Sequence, residues 1–474
     1  MKKFARGIHK LASYSIISNY QNSMDSLSVI ERGLNYQQLK MEDYFKKHGI
    51  NLHESWVFSS ENRESIREIT EFIKENTKDC SQIPYHKIWQ YLMAYIVLQR
   101  KAREVLWNPV VLQRTPELQG RLQEMATFST YAVGIYGKLL VRVIMQEKLL
   151  DLFRSITDHE IFRMYCDLQV KNVIYHQAES RRFIPAHALC LDHPNKALVV
   201  TIRGTMSVFD CLNDLKANYE EYQLKDPFSE QVLTTGKVHS GILLCGQNLA
   251  KELKPLVMQN LREDYKLVIV GHSLGAGTAA LLSLTWLSDP DIMLHGFHTY
   301  AYAPPAVVSS ELNLYLENYV TSCCFGHDIV PRLSFGTIRD ICELIKGFEA
   351  IQAQDRQLKA SVIVSRVFYK GNLDDFELLE LYKELKSQMV SPKLEPPGYI
   401  YQVFQNSRHK DFKMISEQPS LYSGEFLEPS FYKEVVFCKT MISDHMPDQY
   451  EKALKSLVLG DQTQLKALED QIAN

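Results

Sequence analysis

Hydrophobic and polar positions change texture along this chain. Up to about residue 125 the apolar positions recur at helical spacing. Ser60-Glu61-Asn62-Arg63 opens one helical stretch, with Ile66, Ile69, Phe72 and Ile73 on one stripe. Trp89, Leu92, Tyr95, Ile96 and Leu98 mark another. After about residue 195, short β-branched runs alternate with helical stretches. Residues 197–202, 265–270, 298–302 and 319–325 read as buried strands. Residues 247–262, with Leu249, Leu253, Leu256, Val257 and Leu261 facing inward, read as a helix, as do residues 276–287. This alternation predicts an α/β fold with a mostly parallel central sheet covered by helices. Ligand sites in such sheets lie at the carboxyl ends of the strands.

From about Gly336 to Lys393 a helical insertion interrupts the alternation, before the last strands. Ile338, Ile341, Cys342, Ile345 and Phe348 share a face, and residues 376–385 form a second helix. Pro396-Pro397-Gly398 closes the insertion and residues 399–404 resume the sheet. Such an insertion serves either as a gate over a site or as a packed structural excursion. The expected organisation is an N-terminal helical region, 1–125, of unknown role, and a catalytic α/β region, 126–474, carrying the insertion at 336–393.

Composition narrows the class. The 474 residues exceed one ordinary hydrophobic core. A net charge of -3 gives no electrostatic argument for nucleic acid as a partner. Nine cysteines without a CxxC pair favour a reduced, cytoplasmic chain over a disulfide framework. No run reaches the roughly 20 apolar residues of a membrane-spanning helix, so any membrane contact is expected to be peripheral. The first 24 residues contain Lys2, Lys3, Arg6 and Lys10, with Phe4, Ile8, Leu11 and Ile16 near helical spacing. They fit a basic surface helix, a transit peptide or a solvated helix.

The candidate chemistry centres on Gly271-His272-Ser273-Leu274-Gly275. Alone, a GxSxG match arises by chance on the order of one time in ten in a chain this long. Here it follows an apolar strand and opens a helix rich in small residues, Ala276, Gly277, Ala279 and Ala280. That is the setting of a nucleophile elbow, in which Gly271 and Gly275 leave room for a tight turn that exposes the Ser273 hydroxyl. A serine nucleophile needs a base, and the base an orienting acid, in the chain order Ser, Asp or Glu, His. Asp328 directly follows the strand at 319–325, whereas Asp289 and Asp291 precede a strand. Of the histidines after Asp328, His409 lies in the polar stretch Asn406-Ser407-Arg408-His409-Lys410 and reads as solvated. His445 follows the apolar run 435–442 and precedes a helix at 448–459, and is the expected base. Asp444 beside it is a poor orienting acid, since neighbouring side chains diverge. His327 reads as a loop or structural residue. For the oxyanion hole, the amide of Leu274 and a donor from Arg203-Gly204-Thr205 are the candidates, with Thr205 able to donate through amide and hydroxyl. His295 and His298 have no metal-site context, and no phosphate loop or dinucleotide fingerprint appears. No metal and no cofactor are expected.

Four blocks together resemble the class 3 lipases, the family of the fungal triacylglycerol lipases. They are Thr201-Ile202-Arg203-Gly204-Thr205, His239-Ser240-Gly241-Ile242, residues 271–277, and Gly326-His327-Asp328-Ile329-Val330-Pro331. Residues 203–215, Tyr131 to Gly137 and Ser443-Asp444-His445-Met446-Pro447 are similar to its sn-1-specific diacylglycerol lipase branch. The resemblance covers about 126–460. It implies an α/β-hydrolase that cleaves the sn-1 ester of diacylglycerol to 2-monoacylglycerol and fatty acid, with Ser273, Asp328 and His445 as triad and Thr205 at the oxyanion. It implies a lid from Met206 to about Lys237, and makes 336–393 look like a regulatory insertion. The partner implied is a lipid ester at a membrane or lipid-droplet surface. A phospholipase A1 or another carboxylesterase would use the same machinery, and a catalytically silent lipid-binding scaffold would keep the fold. Animal members of that branch carry four membrane-spanning helices before this region, and the first 125 residues show no such pattern.

Overall fold

The computed structural model describes residues 83–106, 109–113, 115–139, 156–205, 219–354, 375–406, 409, 421–438 and 440–458. The helical stripe at 60–73, the basic start of the chain and the 206–218 part of the expected lid lie outside these residues.

The described residues form ten strands: β1 (Val173–Gln177), β2 (His187–Asp192), β3 (Ala197–Ile202), β4 (Tyr219–Lys225), β5 (Val232–His239), β6 (Lys266–His272), β7 (Phe297–Tyr302), β8 (Val320–Phe325), β9 (Tyr399–Gln405) and β10 (Tyr422–Leu427). Eight of them form one sheet in the order β1-β2-β3-β6-β7-β8-β9-β10. Its five middle strands, β3 and β6 to β9, run parallel, as the alternation of strands and helices predicts. Antiparallel pairs extend both edges, β1 and β2 on one side and β10 on the other. β4 and β5 make a separate antiparallel hairpin, and it holds the described part of the expected lid.

Strands β3 and β8 are buried at every position, as strands covered on both faces must be. Successive side chains of β3 and β6 go to opposite layers. Val199, Val268 and Val270 pack with Met125, Phe128 and Tyr136 on one face. Leu198, Val200, Leu267 and Ile269 pack with Leu249, Leu253, Ala280 and Leu281 on the other. The first layer is built by helix α2 (Pro116–Gly134) and by the helical residues 447–458, the second by α4 (Ser240–Asn260) and α5 (Leu274–Trp286). Short helices precede β1, β7 and β8, namely α3 (Asp158–Tyr165), α6 (Pro290–His295) and α7 (Ser310–Leu316). Helix α2 begins on Thr115, whose hydroxyl accepts from the Leu118 amide, with Pro116 at the first helical position. It runs across residue 125, where the change of texture puts the end of the N-terminal region.

A third core lies beside the sheet. Helix α1 (Tyr85–Leu106) packs there with α8 (Phe335–Gln354) and α9 (Asp375–Ser387) of the insertion, through Leu92, Ile96, Ile341, Ile345, Phe348 and Leu385. The Tyr91 and Phe348 rings stack at 5.6 Å. Loop residues Ile329, Val330, Val435, Phe437 and Met441 join this core. Beside it the half-buried Glu434 carboxylate accepts from Tyr95 (2.6 Å), Gln99 (2.7 Å) and Tyr382 (2.8 Å), and pairs with Lys386 at 2.7 Å. Burial works against its charge, yet Lys386 and these donors hold the carboxyl below the ordinary glutamate value. Glu434 thus ties α1, α9 and the segment leading to His445 into one unit. Glu434→Ala leaves those donors facing a gap and is expected to cost about 2 kcal/mol, read as a lower urea midpoint. An unchanged midpoint would contradict the role of the contact.

Several histidines are held as neutral rings, His187 buried and His176 and His298 half-buried. Burial lowers His187 and takes His176 to about 4 and His298 to about 3. In the unfolded chain these groups take up a proton near pH 6.5. The folded state therefore loses stability as pH falls below about 6.5, at up to about 1.4 kcal/mol per pH unit for each ring. Urea unfolding at pH 7.5, 6.5 and 5.5 should show a midpoint that drops with each step, and a flat midpoint would rule this out.

Candidate active site

The site is built at the carboxyl end of β6. The strand ends at His272, and Ser273 turns the chain with φ 59° and ψ -130° before α5 starts at Leu274. A positive φ on a residue with a side chain costs about 1–3 kcal/mol and persists only where packing enforces it. The flanking glycines show that packing. A Cβ on Gly271 would stand 2.3 Å from the carbonyl oxygen of Gly275, and one on Gly275 would stand 2.3 Å from that of Ile202. The Ser273 amide donates to the Tyr302 carbonyl at 2.9 Å, pinning the turn to β7.

Asp328 and His445 converge on this turn. Asp328 follows β8 through Gly326-His327, and His445 sits in the short 3-10 turn Ser443–His445. His445 Nε2 is 2.8 Å from Ser273 Oγ, and its Nδ1 is 2.9 and 3.0 Å from the two Asp328 oxygens. The carboxylate can only accept, so the ring proton resides on Nδ1 and Nε2 is an acceptor for the serine hydroxyl. Asp328 is fixed in turn. Its Oδ1 accepts from the Val330 amide at 2.9 Å, and its Oδ2 accepts from the Tyr450 hydroxyl. That hydroxyl also accepts from the Phe325 amide at 3.1 Å. Burial and the facing Asp328 charge push the Tyr450 phenol well above its usual value, so it stays a donor. Ser273 has no exposed surface, and Asp328 and His445 are buried.

His272 supports the ring from below. Its Nε2 lies 2.9 Å from the His445 carbonyl oxygen and its Nδ1 2.8 Å from the Tyr136 hydroxyl. The carbonyl can only accept, which puts the proton on Nε2 and makes Nδ1 the acceptor for Tyr136. Burial, and His445 opposite, hold this imidazole well below its ordinary pKa. No second cation therefore develops 4.9 Å from the His445 ring.

The loop after β3 lies against the nucleophile. A Cβ on Gly204 would be 2.3 Å from the His272 carbonyl oxygen and 2.8 Å from Ser273 Cβ. Thr205 is the next residue, and Leu274 opens α5, whose amide-rich N-terminus favours developing negative charge. All five residues expected from the sequence, Ser273, Asp328, His445, Thr205 and Leu274, come from elements that meet here.

His409 requires a correction. It is not solvated but fully buried, packed edge-on against Phe325 and His327 at 5.4 and 5.5 Å. Its polar chain neighbours hid a tertiary pocket that no local pattern reports. Tyr136, His272, Tyr450 and Asp444 were also not assigned roles from sequence. Tyr136, His272 and Asp444 did fall within the blocks that carried the resemblance, and that was the available signal.

An open, mainly parallel sheet with a serine on a strained strand-to-helix turn, an acid after a later strand and a histidine after the last strand defines an α/β-hydrolase. The family model for lipase (class 3) matches residues 199–337. Diacylglycerol lipase-beta of Mus musculus is 28% identical over 62% of this chain and 47% of its own length. Diacylglycerol lipase-alpha of Homo sapiens is 26% identical over 58% and 27%. The secreted mono- and diacylglycerol lipase A of Penicillium camembertii is 32% identical over 34% and 50%. Residues 199–337 thus resemble the class 3 lipases. The chain spans less than half the length of these two diacylglycerol lipases, beta and alpha. Among solved structures, the lipase from Rhizopus microsporus var. chinensis aligns over 72% of this chain and 90% of its own at 16% identity, with a TM-score of 0.41. At that score the fold rests on the sheet order itself.

Gly275→Ala would drive a methyl group into the backbone of β3 and the loop after it. We expect a loss of about 3 kcal/mol together with slower reaction of Ser273 with a fluorophosphonate. Wild-type stability and reactivity in this variant would contradict the close packing of the turn.

Proposed function

We propose that this protein is a serine lipase that hydrolyses acylglycerols, with the sn-1 ester of diacylglycerol as its substrate and 2-monoacylglycerol and a fatty acid as products. The observation that carries the catalytic reading is the His445 ring, set between Ser273 Oγ at 2.8 Å and Asp328 at 2.9 Å. The substrate class rests on the relatives described above. The sn-1 position rests on the resemblance of Ser443-Asp444-His445-Met446-Pro447 and of residues 203–215 to the sn-1-specific branch.

In this mechanism His445 Nε2 takes the Ser273 proton as Oγ attacks the ester carbonyl. Nδ1–H stays with Asp328, which stabilises the imidazolium. The Leu274 amide and Thr205 hold the oxyanion. His445 then gives its proton to the departing glycerol oxygen, leaving an acyl group on Ser273. Water, activated by the same ring, releases the fatty acid. Ser273 is covered in this structure, so acyl binding requires opening over the site. Such a substrate lies in a membrane or lipid-droplet surface, and the proposed approach is peripheral. No helix among the described residues is long and apolar enough to cross a membrane.

The test is a substrate panel of diacylglycerol, triacylglycerol, phosphatidylcholine and monoacylglycerol in mixed micelles, run on the full chain beside Ser273→Ala. We expect 2-monoacylglycerol from diacylglycerol, and a fall in kcat on the order of 10⁴ or more in the variant. No fatty acid from any ester by folded wild type would overturn the enzyme reading. Preference for phosphatidylcholine would overturn the substrate, and release of the other fatty acid would overturn the position.

A further inference from the structure

A second buried histidine–carboxylate pair stands directly behind the Asp328–His445 pair. Asp444 and His409 are both without exposed surface. Asp444 Oδ2 accepts from three groups: the His327 amide at 2.8 Å, the Thr440 hydroxyl at 2.6 Å and His409 Nε2 at 3.1 Å. His409 is oriented from its other side, where Nδ1 accepts from the Gln405 amide at 2.9 Å while its own amide donates to the Gln405 carbonyl at 2.9 Å. An amide can only donate, so Nδ1 carries no proton and the ring proton points from Nε2 at Asp444.

The positions in the chain give this pair its meaning. His327 precedes Asp328, and Asp444 precedes His445. The Asp444 carboxylate therefore joins the loop that carries the acid to the turn that carries the base. A second tie, the Ile329 amide on the Met441 carbonyl at 3.2 Å, lies on the other side of Asp328. Gly326 records how closely the parts fit. It has φ +52°, and a Cβ there would stand 2.3 Å from His409 Nε2 and 2.5 Å from Asp444 Oδ2.

We infer that Asp444 and His409 act as positioning residues, a clamp from the end of β9 that sets the distance between Asp328 and His445. This rests on the reading of Ser273, His445 and Asp328 as the triad. A carboxylate removed from water needs several donors to remain charged, and Asp444 has three. The same donors fix its orientation. A triad whose members shift by about 1 Å loses on the order of a hundredfold in rate, so the clamp bears on turnover as well as on folding.

The experiment compares Asp444→Asn, His409→Asn and His409→Gln in the full chain. Each is read by the rate of Ser273 labelling with an alkyl fluorophosphonate, by kcat and KM on diacylglycerol, and by thermal midpoint. A glutamine amide can offer a donor near the His409 Nε2 position, whereas an asparagine amide cannot reach it. The expected result is labelling and kcat at least about tenfold lower in Asp444→Asn and His409→Asn, with KM within about threefold of wild type. His409→Gln should recover to within about threefold of wild type. A purely structural role would lower the midpoint and the folded fraction but leave the rate per folded molecule unchanged. That result, or equal loss in the Gln and Asn variants, would overturn the clamp. If Asp444→Asn does not fold, the comparison at 409 decides alone. Absence of labelling in wild type would instead overturn the triad reading, so the two failures are distinguishable.

Discussion

The turn at Ser273 is the constraint around which the described structure is arranged. Its backbone stands at φ 59°, a conformation that a serine adopts only under enforcement. The enforcement comes from both sides of the turn. β6 is buried from Leu267 to His272 and cannot shift, and α5 is buried through Ala276, Ala279 and Ala280. The chain must therefore reverse within one residue. Gly271, Gly275 and Gly204 follow from that geometry, because backbone stands where their side chains would be. The hydroxyl that this turn presents then fixes where everything else must arrive. Asp328 comes from the end of β8, His445 from the segment after β10, and His272, one residue before the serine, holds the His445 carbonyl.

The helical third core bears on the same point. Helix α1 and the insertion helices α8 and α9 do not stand apart from the sheet. They share apolar contacts with Ile329 and Val330 beyond the acid, and with Val435, Phe437 and Met441 before the base. The insertion is thus a packed element, with Glu434 as the polar contact that α1, α9 and the base segment hold in common. A loop that carries a reacting group is only as well placed as the surface behind it, and here that surface comes from segments far apart in the chain.

What the sequence disclosed follows from the range of each signal. The parallel strands β3 and β6 to β9 were legible because they are short runs rich in β-branched, aromatic and other apolar residues set apart from the helical stretches. Ser273 was legible because its motif sits in that local frame, and Asp328 and His445 because chain order left few choices. The antiparallel strands were not. β2, His187–Asp192, begins and ends on polar residues, β10 holds Gly424 at its centre, and β4 is mostly exposed with two consecutive glutamates. Helix α4 begins at Ser240, well before the apolar stripe that marked it, because the ring of His239 caps its first turn. His409 was misread for a deeper reason. Its burial depends on Phe325, His327 and Asp444 arriving from distant segments, and nothing in residues 406–410 encodes their approach.

In the proposed mechanism everything turns on Ser273 as an activated nucleophile held against His445. The most direct measurement is the site of covalent attachment after the folded wild-type chain reacts with a fluorophosphonate, read by peptide mass spectrometry. One adduct is expected, on Ser273 in the peptide spanning Gly271 to Gly275, and none in a His445→Ala chain treated in parallel. Attachment to another residue, or no adduct on Ser273 in folded protein, would contradict this mechanism.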